Sequence, residues 1–254
     1  MPRRARPLLL PVLLLALVGW TQAHVEGEPD RGLHWCESSI GVLRNSAGSA
    51  DVADSGDLDA LVDAMDAWNE IGCSHLILVD KGTTERTDSG HRASGGNTNL
   101  LLWLTGNEWS SRGENYVPSA LALTTLWYAP STGRVYDADI EFNDAHEWTA
   151  QTQNVKNDVM NTAMHEMGHM LGLDHVNDPQ ATMYTYSSSG ELKKRDLVQD
   201  DIDGACAIYG RHYKDCKDIG CGCGAAGSSR GGAAWAAALV WLWLRSRRRR
   251  IGCS

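Results

Sequence analysis

The stretch from His165 to His175 constrains the fold more than any other part of this sequence. It reads HEMGHMLGLDH, and its histidines stand at positions 165, 169 and 175. Residues four apart lie on the same face of a helix, so His165 and His169 can share one metal ion. Gly172 reaches positive φ without a Cβ clash, and the sharp turn that it permits can bring His175 back as a third ligand. The spacing therefore predicts a helix over about 157–171 that carries a three-histidine metal site.

The chemistry of such a site follows from the ligands and from Glu166, which adjoins the first histidine. Three neutral imidazoles leave a fourth position of Zn²⁺ open, and water bound there has a pKa of about 7. Glu166 can take a proton from that water and pass it to a leaving amine. A lone H-E-x-x-H occurs by chance in many helices, but the eleven-residue pattern is far more restrictive. The predicted reaction is hydrolysis of a peptide bond, with Glu166 as the catalytic residue and His165, His169 and His175 as the metal ligands.

The pattern resembles that of the metzincin metalloproteases, whose further signature is a methionine turn after the third histidine. The sequence ATMY at 181–184 places Met183 eight residues after His175. Within the metzincins, the Met-Tyr pair and the segment LVQDDIDGACAIY at 197–209 are most similar to the matrixin family. This resemblance covers about residues 33–210. It implies an α+β fold, in which a twisted mixed sheet lies over the zinc helix and the Met-turn lies beneath the metal.

The sequence departs from the matrixin pattern at two places. Val176 follows the third histidine, where many matrixins have serine, and the proline common after the Met-Tyr pair is missing. Thr185 stands where astacins and serralysins place a tyrosine, so a fifth, tyrosine ligand is not expected. The propeptide cysteine that keeps matrix metalloproteases latent has no match in the acidic segment 24–32. Any latency of this chain would need another device.

The chain divides into segments of different composition. Arginines at 3, 4 and 6 precede an apolar run and a small residue at 23, the order typical of a secretory signal peptide. The predicted segments are a signal peptide (1–23), a short N-terminal segment (24–32), the metalloprotease domain (33–217), a Gly/Cys/Ser-rich linker (218–232), and a short hydrophobic segment with an arginine cluster (233–250).

The C-terminal tail suggests sorting or membrane attachment. The apolar run 233–244 is followed by five arginines within 245–250, a pattern that keeps the basic end cytoplasmic and the protease outside. The run is short for a span, which needs about 20 residues. The tail resembles MYXO-CTERM sorting tails, which implies an enzyme either held at the surface or released. Cys221 and Cys223 are candidate processing positions or, equally, an ordinary disulfide pair.

Hydrophobic periodicity predicts the remaining elements. A helix is expected over 57–71, with Ser55 or Asp57 as its cap, and strands over 73–79, 100–105 and 120–128. The polar stretch 80–99 reads as an exposed loop. The segment DADIEFN at 137–143 alternates, which directs its acids outward. Its resemblance to metzincin strands implies an edge strand that pairs with an extended substrate.

Second metal sites and disulfides leave alternatives open. The acids at 137, 139 and 141 could hold calcium, but a solvated acidic face is the favoured interpretation. His91 is a candidate for a structural zinc ligand, with a solvent-exposed loop histidine as the favoured alternative. Seven cysteines without a C-x-x-C pair favour disulfides in an oxidising compartment. The preferred pair is Cys36 with Cys73, and Cys206 and Cys216 lie close enough to bridge.

Charge limits the classes of function. The net charge is -9, and residues 26–218 hold all 32 acids and 14 of the 23 basic residues, a net charge of -18. Such an acidic body disfavours nucleic-acid binding. We expect an exported, extracellular or surface-tethered, monomeric zinc endopeptidase that acts on proteins or peptides, with calcium as a further candidate ion. The alternative is a catalytically silent zinc-binding surface or adhesion module. Glu166 favours the enzyme, because a purely structural zinc closes its fourth position with a protein ligand.

Overall fold

The computed structural model describes residues 19–92 and 95–210, together with the backbone of 249–253. Most of the predicted signal peptide, the linker 218–232 and the hydrophobic run 233–244 lie outside the described residues. Within the described residues, the helices are all too short or too polar to cross a membrane.

The described chain contains four α-helices and thirteen mostly short strands. The helices are α1 (Gly56–Asn69), α2 (Gly106–Ser111), α3 (Val159–Met170) and α4 (Gln199–Tyr209). The strands are β1 (Thr21–Gln22), β2 (His24–Val25), β3 (Glu28–Gly32), β4 (His34–Trp35), β5 (Ser39–Asn45), β6 (Ile77–Thr84), β7 (Asn99–Leu104), β8 (Ala122–Tyr128), β9 (Arg134–Asn143), β10 (Trp148–Thr149), β11 (Asn157–Asp158), β12 (Leu173–Asp174) and β13 (Arg249–Cys253).

A twisted mixed sheet forms the centre of the fold, with strand order β13-β8-β9-β7-β5-β6 and β4 also beside β9. The strands β4, β5, β6, β7 and β9 pair in parallel, whereas β8 runs antiparallel to β9. Because β9 has neighbours on both sides, the prediction that 137–143 forms the substrate-pairing edge strand is wrong. β8 lies next to β9, and the other side of β8 pairs only with β13 in the described part of the chain.

Helices α1 and α3 pack against each other beside the sheet. The apolar stripe of α1 is buried, and Trp68 Nε1 donates to Met164 O of α3 over 2.9 Å. Successive residues of a strand face opposite sides of the sheet. On β7, Leu101 accordingly joins the main core, whereas Leu100 and Leu102 join a second apolar cluster with Trp109 of α2. The sheet therefore has an apolar layer on each face.

The predicted helices are confirmed, and the predicted strand limits are shifted. Ser55, one of the two predicted caps, is the N-cap residue of α1, although its side chain makes no capping hydrogen bond. The Asp57 carboxylate accepts from Ser49 N over 2.6 Å. The strand predicted at 73–79 begins only at Ile77 and runs on to Thr84, because that end pairs with β5. The predicted loop is therefore shorter than 80–99.

One disulfide links described cysteines, and it joins Cys73 to Cys206 with a Cα–Cα distance of 5.4 Å. The predicted pairs Cys36–Cys73 and Cys206–Cys216 are therefore wrong. The bond ties the connection between α1 and β6 to α4, and His75 N donates to Tyr209 O over 2.9 Å close by. Sequence spacing did not reveal this pair, because 133 residues separate its two cysteines.

The acids of β9 are buried, which reverses the prediction that they face outward. Asp137 and Asp139 are 1% exposed and Glu141 is 2% exposed. The segment after β6 covers them: Gly90 N donates to Asp139 over 2.6 Å, and Ser89 Oγ donates to Glu141 over 2.5 Å. Alternation identified one face of the strand correctly, but the opposite face is covered by the segment after β6 instead of by solvent.

Candidate active site

Three histidine rings meet at the C-terminal half of α3. His165 and His169 project from the helix and His175 from the loop after it, and their Nε2 atoms lie 3.2 Å from one another in every pair. Zn–N bonds of about 2.0–2.1 Å in tetrahedral geometry separate two ligand nitrogens by about 3.3 Å. The three nitrogens are thus spaced as one zinc ion requires. Among the described residues, no other set of three His, Cys, Asp or Glu side chains converges in this way.

Backbone carbonyls orient the two helical imidazoles. The Nδ1 of His165 lies 2.7 Å from Thr182 O, and the Nδ1 of His169 lies 2.9 Å from Leu173 O. When Nδ1 donates its proton to a carbonyl, Nε2 keeps its lone pair for a metal. Burial, helped by the charge of Lys194, lowers the pKa of His165 well below its usual value. The protein therefore presents this imidazole in its neutral, metal-binding form.

The third histidine depends on a tight turn. Gly172 has φ of 92°, and a Cβ at this position would meet Leu33 O at 2.5 Å. The turn is fixed from outside by β1, which pairs with β12, and Ala23 N donates to Gly172 O over 2.8 Å. Thr21 Oγ1 also donates to His175 O over 2.6 Å. Cleavage after Ala23, as the sequence suggests, would remove this support.

Glu166 is the fourth polar residue of the site. It is 0% exposed, its Oε1 has no hydrogen-bond partner among the described residues, and its Oε2 accepts from Thr124 Oγ1 of β8 over 2.6 Å. Burial raises the pKa of Glu166 to about 8, although the hydrogen bond from Thr124 opposes the rise. A cation held by the histidines would lower this pKa. One carboxylate oxygen is thus anchored to the sheet while the other stays free to exchange a proton.

The Ala181–Tyr184 turn lies directly behind α3. Met183 is 2% exposed, and a Cβ at Gly168 would overlap its Sδ, so the methionine needs the glycine. Asp201 of α4 fixes the turn: its carboxylate accepts from Thr182 N over 2.9 Å and from Met183 N over 3.1 Å. Since Thr182 O in turn contacts His165 Nδ1, Asp201 supports the candidate metal site indirectly, through Thr182.

Sequence reasoning missed Thr124, Asp201 and Lys194. Lys194 is 0% exposed, donates from Nζ to Tyr184 O over 2.5 Å, and lies 3.4 Å from His165 Nδ1. Thr124 stands in an apolar strand and Lys194 in a charged run, so neither has a local signal. For Asp201 a signal existed, because the D-D-I-x-G motif contains it, but the motif alone did not say what the carboxylate contacts.

The other candidate metal residues do not converge. His91 is partly buried rather than solvent-exposed; it lies edge-on against Tyr136, with its Nδ1 3.7 Å from Asp137 Oδ2. Asp139 already accepts from Gly90 N and Leu100 N, and Glu141 accepts from Ser89. These acids anchor the segment after β6 to the sheet. Burial raises the pKa of Asp137 to about 6 and that of Asp139 to about 8.

Comparison with known proteins agrees with this geometry. The Matrixin family model matches residues 119–210, which hold β8, β9, α3, the three histidines and α4. Over this stretch the chain is matrixin-like. The match confirms the predicted α+β metzincin fold over this stretch, and it agrees with the predicted enzyme class, a zinc metalloendopeptidase. Similarity to matrixins implies zinc and, commonly, calcium as well.

Curated relatives resemble the same part of the chain. Stromelysin-1 of Mus musculus is 36% identical over 97 residues, which are 38% of this chain and 20% of the relative. Neutrophil collagenase of Homo sapiens is 40% identical over 85 residues, 34% of this chain and 18% of the relative. Matrilysin of Homo sapiens is 36% identical over 84 residues, 33% of this chain and 30% of the relative. The matches thus span well under half of each relative.

Proposed function

We propose that this chain is an exported zinc endopeptidase that hydrolyses peptide bonds of extracellular proteins. The observation that carries the proposal is the triangle of Nε2 atoms, 3.2 Å apart, with the buried Glu166 beside it on the same helix. His165, His169 and His175 would hold the zinc ion. When bound, zinc supplies Lewis-acid chemistry to the attacking water and to the scissile carbonyl.

The residues of the chain divide the remaining work. The free Oε1 of Glu166 takes a proton from the water while the water oxygen bonds to the carbonyl carbon of the substrate. Glu166 then passes this proton to the leaving nitrogen as the C–N bond breaks. Thr124 keeps the carboxylate in place through Oε2. The outer edge of β8 offers backbone groups that can pair with an extended substrate. Substrate, proton acceptor and metal ligands would then all lie between β8 and α3.

Export and attachment belong to the proposal as well. The N-terminal arginines with their apolar run, and the bonded pair Cys73–Cys206, fit passage into an oxidising compartment. Release or tethering at the surface would depend on the tail 218–250. Calcium is a candidate ion for the enzyme, although the acids of β9 do not provide three converging ligands.

The decisive experiment compares the purified chain with its Glu166→Gln variant on a mixed peptide library, with zinc content measured in both. The surface variant Glu114→Gln serves as the matched carboxylate control. We expect the parent and the control to cleave peptides, and Glu166→Gln to keep zinc while losing about 10²- to 10⁴-fold in kcat/KM. If all three bind zinc and none cleaves, the silent zinc-binding surface module replaces the enzyme.

A further inference from the structure

The outer edge of β8 is already paired with a strand from the same chain. Residues Arg249–Cys253 form β13, which runs antiparallel to β8 from Arg249 opposite Leu126 to Cys253 opposite Ala122. The pairing thus covers five residues in continuous register. An exposed sheet edge presents unpaired N–H and C=O groups, and an added strand satisfies them.

The register places β13 at the level of the candidate active site. Ile251 is opposite Thr124, whose hydroxyl donates to Glu166 Oε2 over 2.6 Å. β13 also runs beside α3, the helix that carries His165 and His169. An extended substrate peptide pairing with β8 would need the same backbone groups. β13 and such a peptide therefore cannot bind at the same time.

We propose that the segment Arg249–Cys253 docks on the edge of β8 in place of substrate and lowers the activity of the enzyme, without abolishing it, until the segment is displaced or removed. The effect on activity rests on the proposed function, whereas the docking of the segment on β8 is independent of that function. The docking supplies the latency device that the segment 24–32 lacks.

Charge favours this occupant. The segment follows Arg247 and Arg248 and begins with two further arginines, whereas residues 26–218 carry a net charge of -18. Attraction between a basic segment and an acidic body raises the local concentration of the segment near the body and speeds its docking. Because the segment belongs to the same chain, its effective concentration is far above that of most free peptides.

The test uses the full chain and changes backbone pairing without changing charge. Successive N–H groups of a strand point to opposite sides, so one of any two consecutive N–H groups of β13 faces β8. Prolines at two consecutive positions therefore remove one hydrogen-bond donor to β8. The test variant is Ile251→Pro with Gly252→Pro, and the matched control is Ile251→Val with Gly252→Ala. Hydrogen exchange of the amides of Ala122–Tyr128 reports docking, and cleavage of a fluorogenic peptide reports latency.

We expect faster exchange in β8 and about tenfold higher kcat/KM in the proline variant, since activity follows the fraction of molecules with a free edge. A synthetic peptide of residues 245–254 added to the proline variant should restore protection and inhibit competitively. Equal hydrogen exchange of the β8 amides in both variants overturns the inference. A tail that is held in a membrane would give this result. If protection differs but neither variant cleaves any peptide, the docking stands and the proposed endopeptidase function fails.

Discussion

The Thr124 hydroxyl donates a hydrogen bond to Glu166 Oε2 over 2.6 Å, which connects β8 to the helix that carries two of the histidines. This bond leaves Oε1 as the only oxygen of Glu166 without a partner in the described protein. The carboxylate is thus oriented by the same strand that would pair with substrate.

Thr124→Val should therefore slow catalysis without emptying the metal site. Valine has nearly the shape of threonine but no hydroxyl, so the carboxylate loses its orientation and kcat should fall about 10- to 100-fold, with KM and zinc content almost unchanged. Thr124→Ser, which keeps the hydroxyl, should retain most of the activity. Steady-state kinetics and metal analysis measure both effects. A parallel loss of zinc would mean that Thr124 stabilises the site as a whole.

Asp201→Ala should destabilise the protein and weaken metal binding together. It leaves Thr182 N and Met183 N buried without an acceptor, at a cost of about 2–4 kcal/mol in the free energy of unfolding. Urea unfolding and a zinc titration with a chelator measure the two consequences. Asp203→Ala, at an exposed position on the same helix, is the control and should change neither. Unchanged zinc affinity in Asp201→Ala would show that the turn does not stabilise the arrangement of the histidines.

A chain that begins at His24 should be less stable than one that begins at Trp20. The shorter chain lacks β1, the buried Ala23 and the bond from Thr21 to His175 O, which together contribute about 1–3 kcal/mol. It should melt at a lower temperature and lose zinc to a weaker chelator. In the longer chain, Thr21→Val removes only the hydroxyl and should give an intermediate result. N-terminal sequencing of the exported protein would show which start occurs, and equal melting of both chains would contradict the role given to β1.

Asp137→Asn should stabilise the protein more at pH 8 than at pH 4. The pKa of this buried carboxyl is raised from 3.8 to about 6. Between pH 3.8 and about pH 6 the folded state therefore binds more protons than the unfolded state. The free energy of unfolding therefore falls as the pH rises through this window, and the penalty is complete above it. Asparagine cannot ionise, and its gain should be about 1–3 kcal/mol at pH 8 and close to zero at pH 4. Denaturant unfolding at the two pH values measures it, and a loss of stability at pH 8 would indicate that the charge of Asp137 is needed.

Local patterns in the sequence were sufficient to predict the three convergent histidines and their helix. His165 and His169 are related by helical spacing and His175 by a glycine turn, so all three follow from eleven consecutive residues. The supporting contacts could not be read in this way. Thr124 contacts Glu166 of α3 from 42 residues away in the sequence. Asp201 contacts Thr182 and Met183, in the turn behind α3, from 19 and 18 residues away.

The failed predictions have the same origin. The acids of β9 alternate as they would on a strand with one solvated face, but their coverage by Ser89 and Gly90 depends on tertiary packing, which alternation does not encode. The pairing of Cys73 with Cys206 likewise depends on where α4 lies. The position of β8 between β9 and β13 could be known only from the strand order, which elements in isolation do not define.

The end of α3 has a consequence for biosynthesis. Trp35 Nε1 donates to Met170 O over 2.7 Å and the Tyr209 hydroxyl donates to Leu171 O over 2.6 Å, so residues from both ends of the domain secure the helix just before Gly172. A nascent chain that has produced all three histidines still lacks Asp201 and Tyr209. Its candidate metal site is therefore not yet held in shape, and the site is completed only once α4 has been synthesised.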